Sequence, residues 1–305
     1  MNFQTKPLSL LTALSLLMAL SIFSCKKERS GDNNPTDREQ ASLAASEANV
    51  AAEIVFNDVF DNVMGVNDDV GLAGTGVFGR YMTGSGNSAT ERPNGCFEIT
   101  ITAINGANKF PVMIAIDFGG GCEGKDGRVR KGKIISTYTG RLITAGASAS
   151  TTFDGYEVDG VKVAGTHTVT NTSSNNNRQF TIDIEDARLS DATGNYITWA
   201  NHKIITQTEG LGTPLRPGDD IFTIEGNSEG QVKKGDILAI WTSEITEPLI
   251  KKFLCWWIAQ GKLKTVLGAG SANDPWVAEL NFGDGTCDKK AVVIINGATH
   301  EISLH

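Results

Sequence analysis

Near the start of the chain, apolar residues recur at helical spacing. Ala45, Ala48, Ala52, Val55, Phe56, Val59, Phe60 and Val63 fall three and four apart, the period that lines one face of an α-helix. Pro35 and the Thr36-x-x-Glu39 pattern supply a start signal of the capping-box kind, and Gly65 supplies a stop. The pattern predicts one N-terminal amphipathic helix that lays its Val/Phe stripe on a sheet. From about residue 95 the period changes to two. Residues 99–102, 166–170, 180–184 and, more weakly, 290–295 alternate or are rich in β-formers. Turn signals intervene at Asp154-Gly155, Asp159-Gly160, Thr193-Gly194-Asn195, Glu225-Gly226-Asn227 and Asn296-Gly297. The spacing predicts a mainly β body, an antiparallel meander of about twelve strands. A curled sheet, a sandwich and a barrel all fit it. No βαβ alternation is present, which excludes a doubly wound fold.

Ahead of the helix, Lys6 precedes an apolar run over residues 8–23. That is shorter than the ~20 residues a membrane span needs and suits the core of an export signal. The run ends in Ile22-Phe23-Ser24-Cys25. A small residue before cysteine at this place resembles a bacterial lipobox. The resemblance implies removal of residues 1–24 and acylation of Cys25, with ordinary secretion as the alternative. Several acyl chains anchor firmly where one binds only marginally. Lys26 follows the cysteine; the absence of Asp there points, by the same resemblance, to the outer membrane. The chain then divides into a signal (1–24), a lipidated tether (25–35), a helix with a Gly-rich connection (36–94) and a β-rich body (95–305).

Four cysteines remain beside Cys25: Cys96, Cys122, Cys255 and Cys287. An even number in an oxidising compartment reads as two disulfides. Cys96 opens one apolar run and Cys122 closes the next; Cys255 and Cys287 repeat the arrangement. In an antiparallel hairpin the start of one strand lies near the end of the next, so the predicted pairs are 96–122 and 255–287. The loop-closure model gives each roughly 3–4 kcal/mol. The two units also match in residue type. Each begins Cys-aromatic-x-Ile, and each ends in a strand closing on Asp117-Phe118-Gly119 or Asn281-Phe282-Gly283 before its second cysteine. They read as two equivalent corners of the body.

The lipobox-like Cys25, these two turns and the patch Asp126-Gly127-Arg128-x-Arg130-x-Gly132-Lys133-Ile134 together resemble the uncharacterised envelope lipoproteins of Bacteroidetes bacteria. The likeness covers most of residues 95–305. It implies a cell-envelope location and a β-rich fold, and it supplies no catalytic residues.

Charge and chemistry narrow the function further. The net charge of −8 and the pI near 5.1 argue against nucleic acid as a partner, which requires a basic face. Gly74-Thr75-Gly76-Val77-Phe78-Gly79 has the spacing of a dinucleotide loop but not the strand before it or the helix after it. Gly226-Asn227-Ser228-Glu229-Gly230 has the spacing of a nucleophile elbow, yet its flanks are strand-like, and a hairpin turn is the expected reading. Asp/Gly clusters at 67–69, 117–126, 218–220 and 283–285 lack EF-hand spacing, and turn chemistry accounts for them. No metal and no cofactor are expected. Adjacent Trp256 and Trp257 must face opposite sides of a strand. With Trp276, and in a wider platform with Trp199 and Trp241, an outward tryptophan could stack on a sugar or a partner surface; packing of all five in the body is the favoured reading. Asp183 and Glu185 share a strand face with Asp186 beside them, as on a solvated sheet. The chain therefore reads as a lipid-anchored envelope protein that binds a glycan, a peptide or a partner protein. An envelope hydrolase using carboxylates in a sheet cleft is the alternative, and a subunit held by strand addition is a third reading.

Overall fold

The structure, a computed structural model, describes residues 35–66, 70, 97–106, 109–124, 127–174, 177–213, 217–255, 257–268 and 276–304. One helix, α1 (Pro35–Gly65), precedes all the strands. They are β1 (Glu98–Ala103), β2 (Val112–Asp117), β3 (Cys122–Glu123), β4 (Val129–Tyr138), β5 (Ser148–Val158), β6 (Val161–Asn171) and β7 (Gln179–Ser190), followed by β8 (Tyr196–Glu209), β9 (Ile221–Lys234), β10 (Ile237–Lys252), β11 (Gln260–Leu267), β12 (Val277–Asp284), β13 (Lys290–Ile295) and β14 (Ala298–Ser303). All belong to one antiparallel sheet in chain order, with the two-residue β3 set aside against β4. Fourteen strands form where alternation predicts about twelve; a two-residue strand such as β3 leaves no periodic trace.

The sheet curls around α1 without closing, since β1 and β14 end it unpaired with each other. Helix contacts reach from β4, where Tyr138 Oη donates to Val63 O at 2.9 Å, to β14, where His300 Nε2 lies 3.0 Å from Glu39 Oε1. The Val/Phe stripe is buried as predicted: Phe56 stacks on Trp199 at 5.6 Å, and Phe60 meets Phe180 edge-on at 6.2 Å. The helix is not amphipathic in its surroundings, however. Ser42, Ser46, Asn49, Asn57, Asp58, Asp61 and Asn62 are buried as well. A helix lying on a flat sheet keeps one wet face, whereas a sheet curled around it covers the polar residues too. These then need internal partners. Ser46 Oγ donates to Ser42 O at 2.9 Å, and Asn62 Nδ2 to Asp58 O at 2.7 Å.

Three expected turns lie between strands. Asp159-Gly160 joins β5 to β6, Thr193-Gly194-Asn195 joins β7 to β8, and Asn296-Gly297 joins β13 to β14. The first and last have both residues at positive φ (51° and 81°, 50° and 83°), the geometry that fits the twist of a two-residue hairpin. Two others are corrected. Asp154-Gly155 lies within β5, in the irregular stretch between Thr151 and Glu157. Glu225-Gly226-Asn227 lies within β9. A Cβ on Gly226 would come within 2.2 Å of His202 O, and its φ is 146°. Close backbone approach, not chain reversal, requires that glycine.

Cys255 and Cys287 form a disulfide with Cα atoms 5.6 Å apart. It joins the approach to β11 to the exit of β12, where Gln260 pairs with Asp284, as the hairpin argument requires. Cys122 is also disulfide-bonded, and Cys96, its predicted partner, lies outside the described residues. The likeness of the two corners extends to their hydrogen bonds. Asp117 Oδ1 accepts from the Gly119 amide at 2.8 Å, Asn281 Oδ1 accepts from the Gly283 amide at 2.9 Å, and Phe118 and Phe282 are both buried. The Gly119 amide, then Lys133, holds the Asp117 carboxyl below the usual carboxylate range. Replacing Cys255 and Cys287 together by alanine should lower unfolding stability by about 3–4 kcal/mol, read from urea denaturation with and without reductant.

Candidate functional site

Strand alternation places one polar series of β8 inside. Trp199, Lys203, Ile205 and Gln207 are all buried, so a lysine occupies a core position. Lys203 Nζ donates to Glu53 Oε1 at 2.5 Å and to Asn57 Oδ1 at 2.7 Å, both one turn apart on α1. A turn earlier, Asn49 Oδ1 accepts from Trp199 Nε1 and from Ser228 Oγ, each at 2.8 Å. Farther along α1, Asp58 receives Arg130 through Nη2 (2.5 Å) and Nε (3.0 Å) and the Tyr156 hydroxyl at 3.1 Å. A desolvated charge is tolerable only when paired and hydrogen-bonded in this way. These three groups fix α1 in register against β4, β5, β8 and β9.

Beside the polar series a cavity of 490 Å³ opens between α1 and β8–β12. Its apolar walls include Ile54, Leu249, Trp257, Leu263, Phe282 and Leu304; Asn57, Asn201, Lys203 and Ser228 add polar groups. The size and the mix of walls are those of a small-molecule site. Arg128, just before β4, and Lys289, between β12 and β13, also line it. The cavity is therefore bordered from both flanks of the unclosed sheet. A second cavity, of 560 Å³, shares Val50 and Ile54 with the first and continues along α1 past Ala48, Ala51 and Val55.

The aromatic residues separate into different roles. Trp199 and Trp241 are core, at 3% and 0% exposure. Trp257 is half-buried on the cavity wall, while Trp276 lies at the opposite end of β11 beneath Arg38, whose guanidinium carbon is 6.0 Å from the ring centre. Trp256 lies outside the described residues, as do Cys25 and the 74–79 glycine motif. The structure thus does not bring Trp257 and Trp276 together into one platform.

Other candidate chemistry resolves into structure. Ser228 of the Gly-x-Ser-x-Gly motif sits in mid-strand with its hydroxyl given to Asn49, so the motif forms neither an elbow nor the expected hairpin turn. Its last glycine, Gly230, faces the Trp241 ring, 2.6 Å from where a Cβ would stand. Asp183 and Glu185 point outward, and Asp183 Oδ1 lies 2.6 Å from His202 Nδ1. His167 is fully buried between Phe56 and Phe60. Burial, helped by the Lys203 charge, pushes its imidazole down to about 3. Among the described residues no group of three or more His, Cys, Asp or Glu side chains converges to hold a metal ion, and no helix is long and apolar enough to cross a membrane.

No family model, no curated protein and no solved structure matches this chain. Sequence reasoning overlooked Glu53, Asn57 and Lys203. The available signal was parity: in β8 the odd-numbered positions are the inward ones, and a lysine stands among them.

Proposed function

We propose that this protein is an envelope lipoprotein, anchored to the outer membrane through acylated Cys25, whose body is a binding protein that receives a small ligand in the cavity beside α1. The observation that carries the binding role is the 490 Å³ cavity itself, walled mainly by apolar side chains and bordered by both flanks of an unclosed sheet. The hydrolase reading has less support. Of the carboxylates lining the cavity, Glu53 is tied to Lys203, and Glu244 is 63% exposed, 3.9 Å from Lys264. Neither is placed as a free acid or base.

The lipobox-like segment, the disulfide and the position of α1 all fit anchoring. The helix begins ten residues after Cys25, a reach of about 35 Å if extended. Its first turns are held by Trp276 and His300, near the β11–β12 and β13–β14 hairpins. That end of the body faces the bilayer. Cells fed radiolabelled palmitate should label the protein, and Cys25→Ser or globomycin should abolish the label and move the protein to the soluble fraction. Label retained in the serine variant would refute the anchor.

A further inference from the structure

The cavity beside α1 has a polar side as well as an apolar one. Asn49, Glu53 and Asn57 follow one another at four-residue spacing on the helix face that lines it, about 12 Å from first to last at the helical rise. Asn49 Oδ1 accepts from Trp199 and Ser228, and Asn57 Oδ1 accepts from Lys203. Both amides commit their oxygens in this way. Among the described residues neither amide nitrogen finds an acceptor, although Asn49 and Asn57 are only 5% and 6% exposed. Glu53 places Oε1 on Lys203, and its Oε2 receives no hydrogen bond among the described residues. Asn201, which lines the cavity from β8, makes no side-chain hydrogen bond among them either. The polar side therefore offers a donor, an acceptor and a donor in turn along α1, with one more amide on β8. Leu249, Trp257, Leu263 and Phe282 line the rest with apolar surface.

We infer that the cavity takes a short neutral saccharide, whose hydroxyls meet Asn49, Glu53, Asn57 and Asn201 and whose ring C–H faces lie on Trp257 and the aliphatic walls. This inference rests on the cavity being the binding site. The ligand class follows from the hydrogen-bonding groups left over. A hydroxyl both donates and accepts, so successive hydroxyls of a sugar can satisfy the amide N–H groups and the carboxylate oxygen in turn. A carboxylate or phosphate would accept from the amides but meet Glu53 as a like charge. An ammonium would find Glu53 already paired and the amides offering donors where it needs acceptors. A plain hydrocarbon chain would leave the amides dry and unpaired. A pyranose ring has the same two-sidedness as the cavity, with hydroxyls at its edge and C–H groups on its faces. Apolar and aromatic walls with a few placed polar groups are the usual lining of a small-molecule site, and 490 Å³ is within its usual size.

The test uses the full chain carrying Cys25→Ser, so that no acyl group of its own competes, titrated by calorimetry with cellobiose, maltose, lactose, N,N′-diacetylchitobiose and, as an apolar probe, decanol. At least one disaccharide should bind saturably, one per chain, with a Kd of about 1 mM or tighter and at least about tenfold more tightly than decanol. Asn201→Leu should weaken that sugar about tenfold and leave decanol no weaker. Its unfolding midpoint should not fall, since the amide it removes has no partner to lose. Leu263→Trp, which fills the cavity, should abolish binding of every probe. Ile54→Phe is a milder filling variant, and unfolding midpoints establish that each variant is folded. Decanol bound and no sugar bound, or sugar affinity unchanged by Asn201→Leu, would overturn the saccharide recognition while leaving the cavity as a binding site. No binding of any probe, or binding indifferent to both filling variants, would overturn the cavity's role itself.

Discussion

Asp58→Ala is expected to destabilise the fold by about 3–5 kcal/mol, because it takes the paired carboxylate away from the buried Arg130 guanidinium. Asp58 is 0% exposed and Arg130 6%. Two hydrogen bonds join them, and the Tyr156 hydroxyl also donates to the carboxylate. Arg130→Ala takes the cation from the buried carboxylate instead and should cost a similar amount. Tyr156→Phe removes only a neutral donor and should cost about 1–2 kcal/mol. The double variant Asp58→Leu/Arg130→Met removes both charges at once, so it should recover most of the loss; apolar replacement of a buried pair is often neutral. Guanidinium unfolding midpoints for the four proteins test the scheme. A single variant costing under about 1 kcal/mol would mean that water reaches the pair.

Acid should weaken this protein through His167. The folded protein holds the imidazole at about 3, against about 6.5 in an unfolded chain. Between these values the unfolded state binds the extra proton and the folded state does not. Stability contributed by the neutral ring is therefore complete above about pH 6.5 and is lost as pH falls toward 3, by about 1.4 kcal/mol per pH unit. Among the described residues the ring nitrogens find no partner beyond the residue's own backbone, and Phe56 and Phe60 flank the ring. His167→Phe removes the titrating group and suits the same aromatic stack. The stability difference between wild type and variant, measured at intervals from pH 7 to pH 4, should rise steadily in favour of the variant. A difference independent of pH would show that the imidazole titrates normally in the folded protein.

How far the fold could be read beforehand depended on whether its cause was local. The bounds of α1 rest on Pro35, Gly65 and a 3.6-residue period, and they emerged at those residues. The Cys255–Cys287 link follows from strand order alone. The burial of Asn49, Asp58 and Asn62 was not legible, because it depends on curvature accumulated over the whole sheet. Glycine-containing pairs were ambiguous for a physical reason. Positive φ and the absence of a side chain serve a hairpin turn at Asn296-Gly297, and the same freedoms serve a close strand approach at Gly226. The site was legible only in part. Lys203 stands out once the parity of β8 is known, but the cavity walls combine α1 with residues from five strands and from the chain segments between them. No spacing along the chain announces such a meeting.

The helix that the sheet encloses is made first, and the strands around it follow in the order in which they pair. A chain threading outward from its amino end could therefore wind each new hairpin onto a spool already present, adding neighbour to neighbour without waiting for distant segments. The final turns of that winding, which bring His300 to Glu39, involve the greatest sequence separation and the largest entropic cost. Loss of the last hairpin should accordingly leave a partly wound intermediate with the spool exposed along one side, a natural target for proteases.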